Sequence, residues 1–307
     1  MKVVITGASG MIGRSIVKEL SGRKISLTCL SRLEQSDGRN GVRWLTGDLS
    51  VDGVAEQILE DQDAVVHLAH DTIPLSVGAD ILSVLQRNIY PTLKLIGAAR
   101  KRTRAIHIIY LSSGGAIYGE PVVAKQPSRE TDRCEPLTEY GIQKLIIERY
   151  LQVASMAGGV RCTVLRVSNA YGAVLNPDRM QGLIGTSVAR VQQRQPLRLI
   201  GDPDNVRDYI HVTDIASAVR LALQHPSTFD IFNIGSGIGS SVLEVLDMIS
   251  RIGECNSPVE VKEVRCSNLL ASWNVLDISK AKAELDWSPT ISLEAGIQAM
   301  FSKELAK

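Results

Sequence analysis

The chain has 307 residues, 44% hydrophobic and 22% charged, which is too apolar for disorder and long enough to bury a core without metal or disulfide staples. Its 34 Lys and Arg balance 33 Asp and Glu, so a net charge of +1 excludes a chain-wide nucleic-acid footprint. No apolar run reaches the roughly 18 residues of a membrane span. The five cysteines (Cys29, Cys134, Cys162, Cys255 and Cys266) form no CxxC pair, a pattern that fits a reducing cytoplasm and gives no metal signal.

Met1–Ile5 runs into a glycine loop after a few residues and reads as a strand, not a signal peptide. Val3–Thr6 leads into Gly7-Ala8-Ser9-Gly10-Met11-Ile12-Gly13, a GxxGxxG spacing between a strand and a helix. Glycines there permit a tight turn and close approach of backbone to a pyrophosphate, and the helix N-terminus offers its N–H groups to the phosphates. Gly7, Ser9, Gly10, Met11, Ile12 and Gly13 are therefore expected to line a dinucleotide site. The second strand, Ser26–Leu30, runs into Ser31-Arg32. Ser31 cannot repel a 2′-phosphate and Arg32 can pair with one, which leans towards NADP and leaves NAD open. The alternative for Arg32 is a solvated loop charge. After the third strand, Asp48 and Leu49 are placed against the adenine; alternatively, Asp48 caps the helix near Asp52.

The strands Ala64–Leu68, Ile106–Leu111 and Cys162–Val167 follow, each nearly continuous in aliphatic or β-branched residues. Helices are expected after Gly13, Asp52, Ala79 and Glu139. Buried strands alternating with helices imply an α/β fold with a Rossmann-type doubly wound parallel sheet. Tyr140 and Lys144 lie four apart in a helical stretch and share a face. An ammonium near a phenol favours the phenolate, so Lys144 is expected to lower the pKa of Tyr140 and make it a general base. Taken alone, such a pair is also an ordinary contact on a helix surface. Beyond about Gly172, Gly, Pro and polar residues become more frequent. The expected division is a dinucleotide-binding domain over 1–172, rejoined by a segment near 205–235, and a smaller α/β substrate-binding domain over 173–307.

In this order the motifs resemble the extended short-chain dehydrogenase/reductase family, and within it the NAD(P)-dependent nucleotide-sugar epimerases and dehydratases of the UDP-glucose 4-epimerase type. The resemblance is carried by Gly7–Gly13, Asp48, His67-Leu68-Ala69, Thr72-Ile73-Pro74, Asn88, Ser112–Gly119, Tyr140–Lys144, Leu165–Gly172, Val206–Asp214, Phe232–Gly237, Asp277–Lys280 and Leu285–Pro289. It implies that Tyr140 is the acid/base and that Lys144 holds the nicotinamide ribose. It places Leu68, Ala69 and Asn88 in the cofactor site, and Asn169 and Arg207 at the substrate's diphosphate. Arg265 would be a second phosphate-facing Arg; such residues bind phosphate oxygens with a planar fork. Arg207 could instead form a salt bridge with its neighbour Asp208. The resemblance also implies a homodimer through a four-helix bundle, with Ala79–Arg100 and Glu139–Ala157 as its helices.

One departure bears on the chemistry. The family's catalytic Ser/Thr falls on Gly114, and the next hydroxyl position on Ala116. Ser113 is the nearest remaining donor and Ser112 the next, unless the site relies on Tyr140 and water. The Asp-Glu pair of the family's 4,6-dehydratases falls on Gly115 and Ala116, which disfavours dehydration. No Cys lies between Cys29 and Cys134, which disfavours the fucose-synthase type. His70 stands where a small residue is usual and is expected either to approach the substrate or to start a helix. The expected activity is a cytoplasmic nucleotide-sugar (UDP-hexose-like) 4-epimerase working through a transient 4-keto sugar. The alternatives are an NADPH-dependent nucleotide-4-keto-sugar reductase and a non-catalytic NAD(P)-binding regulator.

Overall fold

The computed structural model describes residues 1–36, 38–71, 80–121, 123–179, 182–255, 259–262 and 271–302. The Thr72–Pro74 motif and Arg265 lie outside these residues. The chain opens with β1 (Lys2–Thr6), α1 (Met11–Leu20), β2 (Ser26–Ser31), β3 (Val42–Thr46), α2 (Val54–Leu59), β4 (Ala64–His67) and α3 (Ile81–Arg100). It continues through β5 (Ile106–Ser113), α4 (Gly114–Ile117), α5 (Glu139–Met156), β6 (Val160–Val167), β7 (Asn169–Tyr171), α6 (Leu183–Gln192) and β8 (Leu197–Ile200). There follow β9 (Val206–His211), α7 (Val212–Ala222), β10 (Phe229–Ile234), β11 (Gly239–Ser241) and α8 (Val242–Ile252). The last elements are β12 (Val259–Lys262), β13 (Trp273–Asn274), α9 (Ser279–Leu285) and α10 (Leu293–Phe301).

Among the described residues, seven strands form one sheet in the order β10-β6-β5-β4-β1-β2-β3, and every pairing in it is parallel. Val3, Val4 and Ile5 of β1 are fully buried, which explains the unbroken aliphatic runs: each face of the sheet carries its own core. On one face, Ile16 and Leu20 of α1 join Ile215 and Val219 of α7 and Leu285 of α9. On the other, Ile58 of α2 joins Leu95 of α3 and Ile147 and Leu151 of α5. Trp287 seals the first core, its indole donating to Asp214 O and Ser217 Oγ at 3.1 and 3.0 Å.

The 205–235 segment is divided between two sheets. β10 lies beside β6 in the large sheet, whereas β9 runs through a second, smaller sheet with β7, β11 and β13. A third core packs α6, α8 and α10 around Val188, Val245 and Ile297. The fully buried carboxylate of Asp208 ties these parts together. It accepts from Ser168 Oγ, from Ser236 N and Oγ, from Gly237 N and from Leu276 N, at 2.7–3.3 Å. No helix among the described residues is long and apolar enough to cross a membrane.

Candidate active site

The glycine loop follows β1 at the carboxyl edge of the large sheet. Gly7 has φ +71°, and a Cβ there would stand 2.9 Å from Ala69 N. A Cβ on Gly13 would meet Gly7 O at 2.3 Å, so only glycine lets α1 come this close to the loop. Gly10 is the N-cap of α1; no side chain caps it, and the first turn carries no acid. The first-turn amides of a helix have no intrahelical acceptor, so this end is left ready for an anion. These features fit a dinucleotide pyrophosphate.

The surrounding residues converge on the same edge. Ser31 Oγ lies 3.4 Å from Ser9 Oγ and accepts from Leu33 N. Arg32 donates to Asp71 Oδ1 at 3.0 Å. Asn88 is buried in α3, where its Oδ1 accepts from Asp71 N. Leu68 and Ala69 pack over Gly7, and Leu49 is buried. Asp48 does not cap a helix: the N-cap of α2 is Gly53, and Asp48 Oδ1 instead accepts from Ser50 N and closes a turn.

Tyr140 and Lys144 rise from the first turns of α5. Thr138 caps this helix by accepting from Gly141 N, and Gly141 lies so close to α4 that a Cβ would meet Ala116 O at 2.3 Å. That close fit brings Tyr140 within hydrogen-bonding reach of Ser113 at the end of β5. Lys144 is buried, donates to Leu111 O at 2.9 Å, and has its Nζ 5.6 Å from the Tyr140 ring centre. The expected depression of the Tyr140 pKa by Lys144 is not what the structure shows. Burial pushes Tyr140 up to about 12, against the Ser113 hydrogen bond. Burial also brings Lys144 down to about 7, with Glu148 opposing. A low-dielectric site disfavours both charged forms, and here that outweighs their mutual help.

His70 meets the Tyr140 ring edge-on, with centroids 5.2 Å apart, and the residues 72–79 that a helix begun there would use lie outside the described ones. Burial, reinforced by the Lys144 charge, holds it neutral down to about pH 2. Ser112 is committed elsewhere and is not the replacement donor: its hydroxyl donates to Glu148, whose carboxylate pairs with Arg166 Nη2 at 2.7 Å. Arg166 also donates to Tyr118 OH, which donates to Asn233 Oδ1. This network was not singled out in the sequence, although Glu148 follows Lys144 by one helical turn.

Asn169 Nδ2 donates to Asp208 O at 3.0 Å and faces Gly115. Arg207 is anchored by Nη1 to Val206 O and Ser272 O. It makes no salt bridge with Asp208, whose carboxylate is occupied by the five hydrogen bonds described above. Tyr209 belongs to the third core, and His211 caps α7 by accepting from Thr213 N.

Residues 3–235 match the NAD dependent epimerase/dehydratase family. A dTDP-4-dehydro-6-deoxyglucose reductase of Escherichia coli is 27% identical over 97% of this chain and 96% of its own. A UDP-glucose 4-epimerase of Thermotoga maritima, solved with UDP-glucose, has a TM-score of 0.90 at 27% identity, with all of both chains covered. The UDP-glucose 4-epimerase of Thermus thermophilus, solved with NAD, has a TM-score of 0.88 at 28% identity, covering 98% of this chain and 99% of its own.

Proposed function

Because this chain belongs to the NAD dependent epimerase/dehydratase family, we propose that it acts at C4 of a nucleotide-linked hexose and is a 4-epimerase. The observation that carries the reading is the pairing of Tyr140 with Lys144, whose Nζ lies 5.6 Å from the Tyr140 ring centre, beside a glycine loop whose helix has no side-chain cap. When bound, oxidised NAD(P) supplies a hydride acceptor and a positive charge that favours the phenolate. Tyr140 takes the proton of the sugar 4-hydroxyl and later returns it, while Ser113 holds that oxygen by a hydrogen bond. Lys144 would hold the nicotinamide ribose. Arg207, with Nη1 held by backbone carbonyls, offers the rest of its fork to the diphosphate, and Asn169 stands beside it. Residues 173–307 would line most of the sugar-nucleotide cleft.

The same reading includes a cytoplasmic homodimer. Leu82 and Tyr90 on α3 and Val153 and Met156 on α5 are 51–80% exposed, an apolar face suited to a second copy. The test of function is to denature the purified protein and identify the released nucleotide by mass spectrometry. Stoichiometric NAD⁺, or NAD⁺ with NADH, is expected, because epimerisation regenerates its cofactor. A nucleotide-free protein that consumes NADPH with a 4-keto sugar would establish the reductase instead. That second reading is favoured by the likeness to the Escherichia coli reductase and by the burial that pushes the Tyr140 phenol up to about 12, which suits a proton donor.

A further inference from the structure

In the large sheet β1 lies between β4 and β2. Contact between the loops after β4 and β2 must therefore cross above the carboxyl end of β1, where the glycine loop begins. Arg32 and Asp71 make this crossing, with Nη2 to Oδ1 at 3.0 Å. Arg87 of α3 reaches the other oxygen, Oδ2, at 3.5 Å, so one carboxylate gathers two guanidiniums. Asp71 is held in place from below: its N–H donates at 2.6 Å to the amide oxygen of Asn88, which is 1% exposed. Ser31 and Ser9, whose hydroxyls meet 3.4 Å apart, lie on the β2 side of the crossing. Exposed ion pairs add little stability by themselves. Their placement is what matters here.

An acid at the end of β2 ordinarily receives the ribose 2′-hydroxyl of NAD, and an Arg there receives the 2′-phosphate of NADP. This chain has no acid at the end of β2, but an acid from the neighbouring loop is ion-paired to its Arg. Taking the proposed dinucleotide site as given, we propose that Asp71 sets cofactor selectivity by competing with a 2′-phosphate for Arg32 and Arg87. The carboxylate neutralises part of the cationic pair and repels a second anion. The acid thereby lowers the preference for NADP that Arg32 and Arg87 would otherwise give the site.

Calorimetric titration of nucleotide-stripped protein with NAD⁺ and NADP⁺ tests this directly, without a sugar substrate. Asp71→Asn is expected to tighten NADP⁺ roughly tenfold, the scale of one partly screened charge, and to change NAD⁺ by no more than about twofold. Arg32→Gln and Arg87→Gln are each expected to weaken NADP⁺ selectively, and to flatten the salt dependence of its binding. Binding of both dinucleotides with an unchanged NADP⁺/NAD⁺ ratio in Asp71→Asn would overturn the inference alone. So would an equal loss of both ligands in the two arginine variants. Binding of neither dinucleotide by the unaltered protein would overturn the proposed function, and this inference with it.

Discussion

Leu276 occupies the space beside Gly114: its Cδ1 stands 2.6 Å from where a Cβ would lie, and Arg166 O closes the other side at 3.0 Å. The Leu276 side chain and Arg166 O crowd the place where the family resemblance puts a hydroxyl, and in the proposed function the donor role passes to Ser113. Ser113→Ala is expected to lower kcat about 100-fold or more, the usual effect of removing a positioned donor. Gly114→Ser is expected to destabilise the fold by about 1–3 kcal/mol through overpacking and not to rescue Ser113→Ala. Urea unfolding and steady-state kinetics on the two single variants and the double variant check both points.

Tyr140→Phe removes the hydroxyl that the proposed function has moving the proton, while keeping the ring that packs on His70. Turnover is expected to fall about 10²–10⁴-fold with dinucleotide affinity little changed. Retained turnover in this variant would rule out Tyr140 as the acid/base.

Buried His67 and His107, with half-buried His70, make the fold sensitive to acid. Burial lowers His67 to about 3, His70 to about 2 and His107 to about 4. Below the ordinary histidine pKa of 6.5 the unfolded chain binds protons that the folded chain refuses, so stability is full above pH 6.5 and falls as pH drops. Each histidine contributes a slope of about 1.4 kcal/mol per pH unit. His107, hydrogen-bonded to Thr163, lies away from the site, and His107→Gln is expected to reduce the slope by one proton's worth between pH 6 and about 4.5. Denaturant melts across that range give the comparison.

Arg166 and Glu148 are each 2% exposed and hold one another with Ser112 and Tyr118. Glu148→Gln leaves a buried guanidinium without its counter-charge and is expected to cost about 3–5 kcal/mol. Chemical denaturation measures this, and a near-neutral result would mean that Arg166 finds another anion.

Substituting exposed Leu82 of α3 or Val153 of α5 with Glu places a charge on the surface proposed to meet a second copy. A shift from dimer to monomer in analytical ultracentrifugation is expected, with the fold unchanged by circular dichroism. A wild-type protein that sediments as a monomer would assign that face another role.

The sheet was legible because its strands are buried on both faces and leave unbroken aliphatic runs, as in Val3–Thr6 and Cys162–Val167. Glycine spacing marked the phosphate loop for the same steric reason that the structure shows at Gly7 and Gly13. Position along the chain did not reveal direction in space. Ser112 and Ser113 are adjacent, yet one turns to Glu148 and the other to Tyr140. The division of 205–235 between two sheets was likewise hidden, because β9 and β10 carry similar apolar patterns and differ only in the partners that tertiary structure gives them. The sign of the Tyr140 shift depended on burial, which the sequence does not specify.

Trp287 and the α9 residues Ala281 and Leu285 complete a core whose first members are Val3 and Ile5. During translation those early strands leave the ribosome long before the side chains that cover them. The amino-terminal strands therefore reach their final packing only with these late residues, and keep apolar surface uncovered until residue 287 has emerged. A nascent chain arrested before Ser279 would present that surface to chaperones.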